Sequence, residues 1–215
     1  MSIISLASKG IQDTFLLSDD LGHSPFRSKF TRHTNFAQTP KYVKDITQQD
    51  TSIKIPVVGD LINAMWFEGT DIATKLFKGS TIDLYIGGVK IDSHKYEYLT
   101  DIWQSYLSPT WTRSQEMNNP VSTSTRGFVP LQFFFCGGMN GGFLPLVAMQ
   151  FHEVEIRVNL DDAYVSTLAA DERKARCYCN AIFLDTNERQ SLVSRQMDLV
   201  ITQVQSLSSD VLSTV

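Results

Sequence analysis

The stretch from Gly127 to Leu160, GFVPLQFFFCGGMNGGFLPLVAMQFHEVEIRVNL, decides the fold class of this chain. Its run Val129-Pro130-Leu131-Gln132-Phe133-Phe134-Phe135 is too short for a buried helix and too aromatic for a loop, so a core strand is expected over Val129–Phe135. Beyond Leu144-Pro145-Leu146 the apolar residues fall on alternate positions: Val154, Ile156, Val158 and Leu160. Glu153, Glu155, Arg157 and Asn159 face the other way. That period of two marks a strand with one buried and one wet face. The connection Gly137-Gly138-Met139-Asn140-Gly141-Gly142 is Gly-rich enough for a phosphate cradle. A cradle needs a helix N-terminus directly after it, whereas Phe143-Leu144-Pro145 opens another extended run, so an inter-strand loop is expected.

Working outward, strand-like runs bounded by turn residues recur at Phe30–Thr39, Ile53–Val57, Ala64–Glu68, Thr81–Ile86, Val89–Ser93, Phe151–Asn159 and Arg176–Leu184. Gly87-Gly88 reads as a two-residue hairpin turn, where positive φ is needed and glycine adopts it at least cost. Leu99, Ile102, Trp103 and Leu107 lie at helical spacing within Tyr96–Leu107, which predicts one helix. Residues 108–127 are polar and turn-rich, as in a long exposed loop, and Asn187–Val204 suits either a short helix or an exit strand. The predicted fold is all-β: a single eight-stranded antiparallel jelly-roll sandwich with one or two short helices. Residues 1–25 read as an N-terminal arm, 26–205 as the jelly-roll domain and 206–215 as a C-terminal tail.

A family resemblance rests on five collinear patches. Val129-Pro130-Leu131, Phe135-Cys136, Leu144-Pro145-Leu146, Gln150 and His152-Glu153-Val154 resemble the first barrel of double-jelly-roll major capsid proteins of large eukaryotic DNA viruses, which carry a "QxHEV" strand there. Arg32-His33-Thr34-Asn35-Phe36 is similar to the family's N-terminal "RHTNF" strand. Ile55 to Ile62 is similar to its "IPRxGDLI" segment, Ile82 to Asp92 with Trp103 to its "IGGxxID…W" hairpin and helix, and Ile182 to Arg189 to its "YIFLDTDERRRF" segment. The resemblance covers about residues 26 to 205. It implies a virion structural protein that builds a shell, ring, vertex, neck or tail component and turns over no substrate. A second jelly roll follows in that family, and this sequence ends at Val215, so one barrel is expected where the relatives have two.

Composition bears on partners. The formal net charge is −4 with a pI near 5.5, and no basic stripe supports direct nucleic-acid binding. Arg173-Lys174-Ala175-Arg176 sits beside Asp171-Glu172 and reads as a solvated loop. Neither a signal peptide nor a membrane span is visible in the sequence, so synthesis in the cytosol is expected, and the resemblance implies a host cytoplasm and residence in the virion. Cys136, Cys177 and Cys179 are odd in number, with a spacing that rarely suits a disulfide and no CxxC pair for zinc, so reduced buried thiols are expected.

No catalytic, cofactor or metal residue is predicted. His23, His33, His94 and His152 lie on separate segments, and the HxH pair of a metal-binding cupin is missing. His152 is expected to be a satisfied buried or interface residue. Asp185-Thr186-Asn187-Glu188-Arg189 reads as a helix opening capped at Thr186 in preference to a cation site. Aromatic residues dominate the desolvated centres of subunit contacts, which makes Trp66, Phe67, Trp103, Trp111 and Phe143 candidates. Core positions are preferred for Trp66 and Trp103. The candidate interface set is Ile3, Ile4, Phe15, Leu16, Trp111 and Phe143, with partners expected to be further copies of the chain, trimer to hexamer, and other virion proteins. A carbohydrate-binding module, with Trp111 stacked on a sugar ring, is the alternative reading.

Overall fold

The computed structural model describes residues 34–70, 76–99, 102–103, 126–136, 142–149, 151–169, 173–195 and 197–206. The chain divides into two units, Met1–Asn35 and Phe36–Val215, and the architecture below is that of the second. In chain order its elements are β1 (Phe36–Thr47), β2 (Ser52–Lys54), β3 (Leu61–Thr70), β4 (Thr81–Ile86), β5 (Val89–Lys95), β6 (Arg126–Pro130), β7 (Val154–Asn159), α1 (Asp162–Val165), β8 (Lys174–Leu184) and α2 (Thr186–Ser194). A single 3-10 turn, Leu146–Ala148, precedes β7. Residues 96–99 and 102–103 are helical, inside the helix predicted over Tyr96–Leu107.

The strands form two antiparallel sheets. Sheet 1 has the order β1-β8-β3-β6 and sheet 2 the order β2-β7-β4-β5. Every pairing is antiparallel, and the neighbours are distant in sequence except for the β4–β5 hairpin. Gly87 and Gly88 close that hairpin at φ +58° and +82°, the pair of positive angles a type I′ turn demands.

Several strand limits differ from those expected, and two of the ends fall at or just before a proline. The first strand runs on to Thr47 through Pro40, because β1 is an edge strand whose outer side needs no donor. The strand expected over Val129–Phe135 ends at Pro130. The Leu131 amide still donates to the Met65 carbonyl, at 2.9 Å, and then the chain turns, with the Cys136 amide donating to the Phe133 carbonyl. Leu131, Phe133 and Phe135 stay buried even so. β2 stops before Pro56, and β7 begins at Val154 because Phe151 and His152 lie in a turn.

The inner faces supply one apolar core. Val154, Ile156 and Val158 point inward from β7, as their alternation predicts, and meet Ile53, Ile82 and Leu84 of sheet 2. Sheet 1 contributes Ile46, Ile62, Met65, Phe67, Val129, Cys177 and Cys179. Phe67 and Phe77 sit with ring centroids 5.0 Å apart, and both are fully buried with Phe135. Burial of each such side chain stabilises the fold by roughly 1.5–3 kcal/mol. Phe67 therefore belongs to the core and not to the interface candidates. The three cysteines are free, and Cys177 and Cys179 share the inward face of β8, where burial pushes the Cys179 thiol up to about 11.

α2 does open at Thr186, but Asp185 occupies the cap position and makes no side-chain cap bond. The helix is tied down by its side chains instead. Arg189 Nε and Nη2 donate to the two carboxylate oxygens of buried Asp60, at 2.8 and 2.9 Å, and the Leu184 amide donates to the same carboxylate at 2.7 Å. Just before it, Gly59 lies so close to β8 that a Cβ there would stand 3.0 Å from the Ala181 methyl.

Candidate functional site

In an antiparallel sheet with one solvated face, residues alternate apolar-in and polar-out. The outer face of sheet 2 follows the rule. Arg157 Nη2 donates to Glu155 at 2.7 Å, the Ser52 hydroxyl donates to the same carboxylate, and the Arg157 guanidinium lies 4.3 Å above the Tyr85 ring. Asp83 gathers the Ser93 hydroxyl at 2.5 Å, the Asn159 amide at 3.1 Å and the Lys90 ammonium at 3.0 Å. Hydrogen bonds from Arg157 and Ser52 hold the Glu155 carboxyl below the usual carboxylate range. Both of these carboxylates find their partners within the face.

Sheet 1 breaks the rule. Tyr42 on β1 meets Tyr178 on β8 edge-on at 5.8 Å, Tyr178 stacks on Trp66 of β3 at 5.9 Å and 11°, and Trp66 meets Phe128 of β6 at 6.2 Å. Register makes this continuous, since Tyr178 is opposite both Tyr42 and Trp66, while Met65, Phe67, Cys177 and Cys179 beside the two central rings point into the core. An aromatic row thus crosses all four strands on the side away from the core. Tyr42 is 52% and Phe128 38% exposed, with Trp66 and Tyr178 half-buried between them. The core position expected for Trp66 is thereby corrected: on β3 its parity is opposite to that of Met65 and Phe67.

Polar residues flank the row on both sides. Arg176 lies in register between Asp45 and Glu68. Tyr178 and these two carboxylates raise its pKa. Across the row, Asn180 Nδ2 donates to Asn63 Oδ1 at 2.6 Å and to Gln38 Oε1 at 3.3 Å. Partial burial first and Asp45 second raise the Tyr42 pKa.

A second apolar feature is a groove of about 560 Å³ lined by Val43, Ile55, Val57, Met149, Phe151 and Val154. Phe151 is 93% and Val57 72% exposed at its margin, beside the Lys54–Glu153 ion pair at 2.8 Å. His152 also lines it and is exposed, so of the buried or interface placements expected for it the buried one does not hold.

A buried polar pair escaped the sequence reading. Asp92 and His94 on β5 are both enclosed, with Oδ2 and Nε2 2.9 Å apart. Phe133 stacks on the imidazole at 4.9 Å, and Tyr98 flanks it. The segment before Ser206 crosses this strand: the Val204 amide donates to Asp92 Oδ1 at 3.1 Å, and Gln203 Nε2 donates to the Ile91 carbonyl. Burial works to raise the Asp92 pKa, yet the adjacent His94 and the amides of Val204 and Ser93 outweigh it and hold the carboxyl low. Among the described residues no group of His, Cys, Asp and Glu could hold a metal, and no helix is long and apolar enough to cross a membrane.

Of the six predicted interface residues, Phe143 is described and is 42% exposed, next to Leu144, which bridges to Ile62 of β3. Ile3, Ile4, Phe15, Leu16 and Trp111 lie outside the described residues, as do His23, His33 and residues 108–125, most of the stretch expected to be a loop.

Residues 24–199 match the family model described as "Major capsid protein N-terminus". The chain is 30% identical to the major capsid protein of Pyramimonas orientalis virus, across 94% of this chain and 58% of that protein. It is 28% identical to capsid protein 1 of Acanthamoeba polyphaga mimivirus and 27% identical to the major capsid protein of Paramecium bursaria Chlorella virus 1. It spans about half the length of these relatives: 43% of the mimivirus protein and 53% of the Chlorella virus protein. Among solved structures it is similar to the PBCV-1 virus capsid quasi-atomic model, with TM-score 0.66 and 26% identity over 84% of this chain and 50% of that one.

Proposed function

The chain belongs to the major capsid protein N-terminal family, and from that premise we propose that it is a shell-building unit of a virion whose two sheets form one eight-stranded jelly roll. The observation that carries this reading is the pair of four-stranded sheets, β1-β8-β3-β6 and β2-β7-β4-β5, enclosing a single core inside the span that matches the family. Two packed four-stranded sheets are the architecture of capsid jelly rolls. The role is structural, without substrate turnover.

The partners in this reading are further copies of the chain, three to six to a ring, and other virion proteins, with no direct hold on nucleic acid. Ile3, Ile4, Phe15 and Leu16 of the arm over residues 1–25 act with Trp111 and Phe143 as contact residues between subunits. The subunit is made in the host cytoplasm and resides in the virion. With a formal net charge of only −4, apolar and shape complementarity drives the association in preference to charge.

Sedimentation of the purified chain at rising concentration tests this. The expected outcome is a discrete mass of three to six chains that persists in about 0.5 M salt, where the screening length is only a few ångströms. A chain that stays monomeric throughout, or an oligomer that dissolves on adding salt, contradicts it.

A further inference from the structure

We infer that the outer face of sheet 1 is a contact surface for a second copy of this chain, with Trp66 and Tyr178 at its centre. The inference rests on the shell-building role proposed above and adds the place where copies meet. Its first support is the contrast between the two sheets. Sheet 2 turns a polar face outward on which two carboxylates are already matched: Glu155 by Arg157 and Ser52, Asp83 by Lys90, Ser93 and Asn159. Such a face is at rest in water. Sheet 1 presents Tyr42, Tyr178, Trp66 and Phe128 in unbroken ring contact across all four strands.

The second support is the layout of that face. Tyr, Trp and Arg are the residue types that dominate desolvated interface centres, and a polar rim commonly surrounds them. Here the aromatic row has Asp45, Arg176 and Glu68 along one side and Gln38, Asn180 and Asn63 along the other. Arg176 on β8 stands between Asp45 on β1 and Glu68 on β3, each strand ~4.8 Å from β8. The same face of a second copy, displaced by one strand, sets its carboxylate opposite this guanidinium and its aromatic rings opposite these. A like face therefore complements it in charge as well as in apolar surface. A shell made of many copies of one chain also supplies that partner at the highest local concentration.

The test is sedimentation equilibrium of the full chain carrying Tyr178→Lys or, separately, Tyr42→Lys, with Lys90→Gln on sheet 2 as control. Tyr42 lies on an edge strand and is half exposed, so its replacement leaves the core untouched. That variant decides the matter if Tyr178→Lys fails to fold. Thermal melts accompany each sample. The expected result is an association constant reduced about tenfold or more in both sheet 1 variants, with parental melting for Tyr42→Lys and no change for Lys90→Gln. If the parent associates and both sheet 1 variants associate equally well, the face is wrongly assigned while the shell-building role stands. If the parent never associates, that role falls and this inference with it. Loss of glycan binding by Tyr178→Lys with its oligomer intact would show the aromatic row to be a sugar platform and overturn the inference.

Discussion

At Gly87 and Gly88 the backbone takes φ values of +58° and +82°, and the two positions differ in what surrounds them. A Cβ on Gly87 would stand 2.8 Å from His152 Nδ1, whereas one on Gly88 meets nothing within 4 Å. Gly88→Val therefore isolates the conformational cost of a β-branched residue at positive φ, about 1–2 kcal/mol. Denaturant unfolding is expected to show at least that loss, and a variant as stable as the parent would contradict it. Asp60 supports a different prediction. Burial alone would raise its pKa, but the bonds from Arg189 and the Leu184 amide prevail and hold it below the ordinary carboxylate range. A depressed folded pKa means the stabilisation is present above the unfolded value of about 4 and is lost as pH falls through the folded one. Asp60→Asn should cost about 1.5–3 kcal/mol at pH 7 and flatten the acid limb of the stability profile. An unchanged acid limb would show that the pair contributes nothing.

The elements show what a sequence reveals and what it hides. β7 was legible because Val154, Ile156 and Val158 keep strict period two and all three are buried. The hairpin turn was legible because two adjacent glycines leave few other turn types. β5 was expected as a strand, but its inward face was not legible: in Val89-Lys90-Ile91-Asp92-Ser93-His94 the apolar positions are 89 and 91, yet the buried ones are Asp92 and His94. A bulge explains it. Leu84 pairs with Asp92 and Tyr85 with Lys90, so Ile91 is an extra residue that reverses the parity of the strand beyond it. Trp66 was misplaced for a related reason, since Met65-Trp66-Phe67 is apolar throughout and only the pairing with β8 shows which side faces water. The buried pair that the bulge creates carries a prediction. His94→Phe adds apolar bulk yet leaves Asp92 enclosed without its polar neighbour, so a loss of about 1–3 kcal/mol is expected in equilibrium unfolding. A gain in stability would mean that the carboxylate is satisfied by Ser93 and Val204 alone.

For the whole molecule, the two sheets of Phe36–Val215 enclose a core of their own. The apolar set Ile3, Ile4, Leu6, Ile11, Phe15, Leu16 and Leu17 lies outside the described residues. In the proposed function that set is buried on a neighbouring subunit, where each large side chain gains roughly 1.5–3 kcal/mol. Deleting residues 2–22 is expected to leave a folded sandwich with weakened assembly, read by circular dichroism and sedimentation together. Unfolding of the truncated chain would assign the arm to its own core, and undiminished assembly would make it dispensable. The central claim is that this sandwich is a unit of a protein shell, and electron microscopy of the purified chain with the particle mass tests it most directly. Closed rings or shells whose mass is a whole multiple of the 24.2 kDa chain are the predicted result. A field of single sandwiches at high concentration would contradict it.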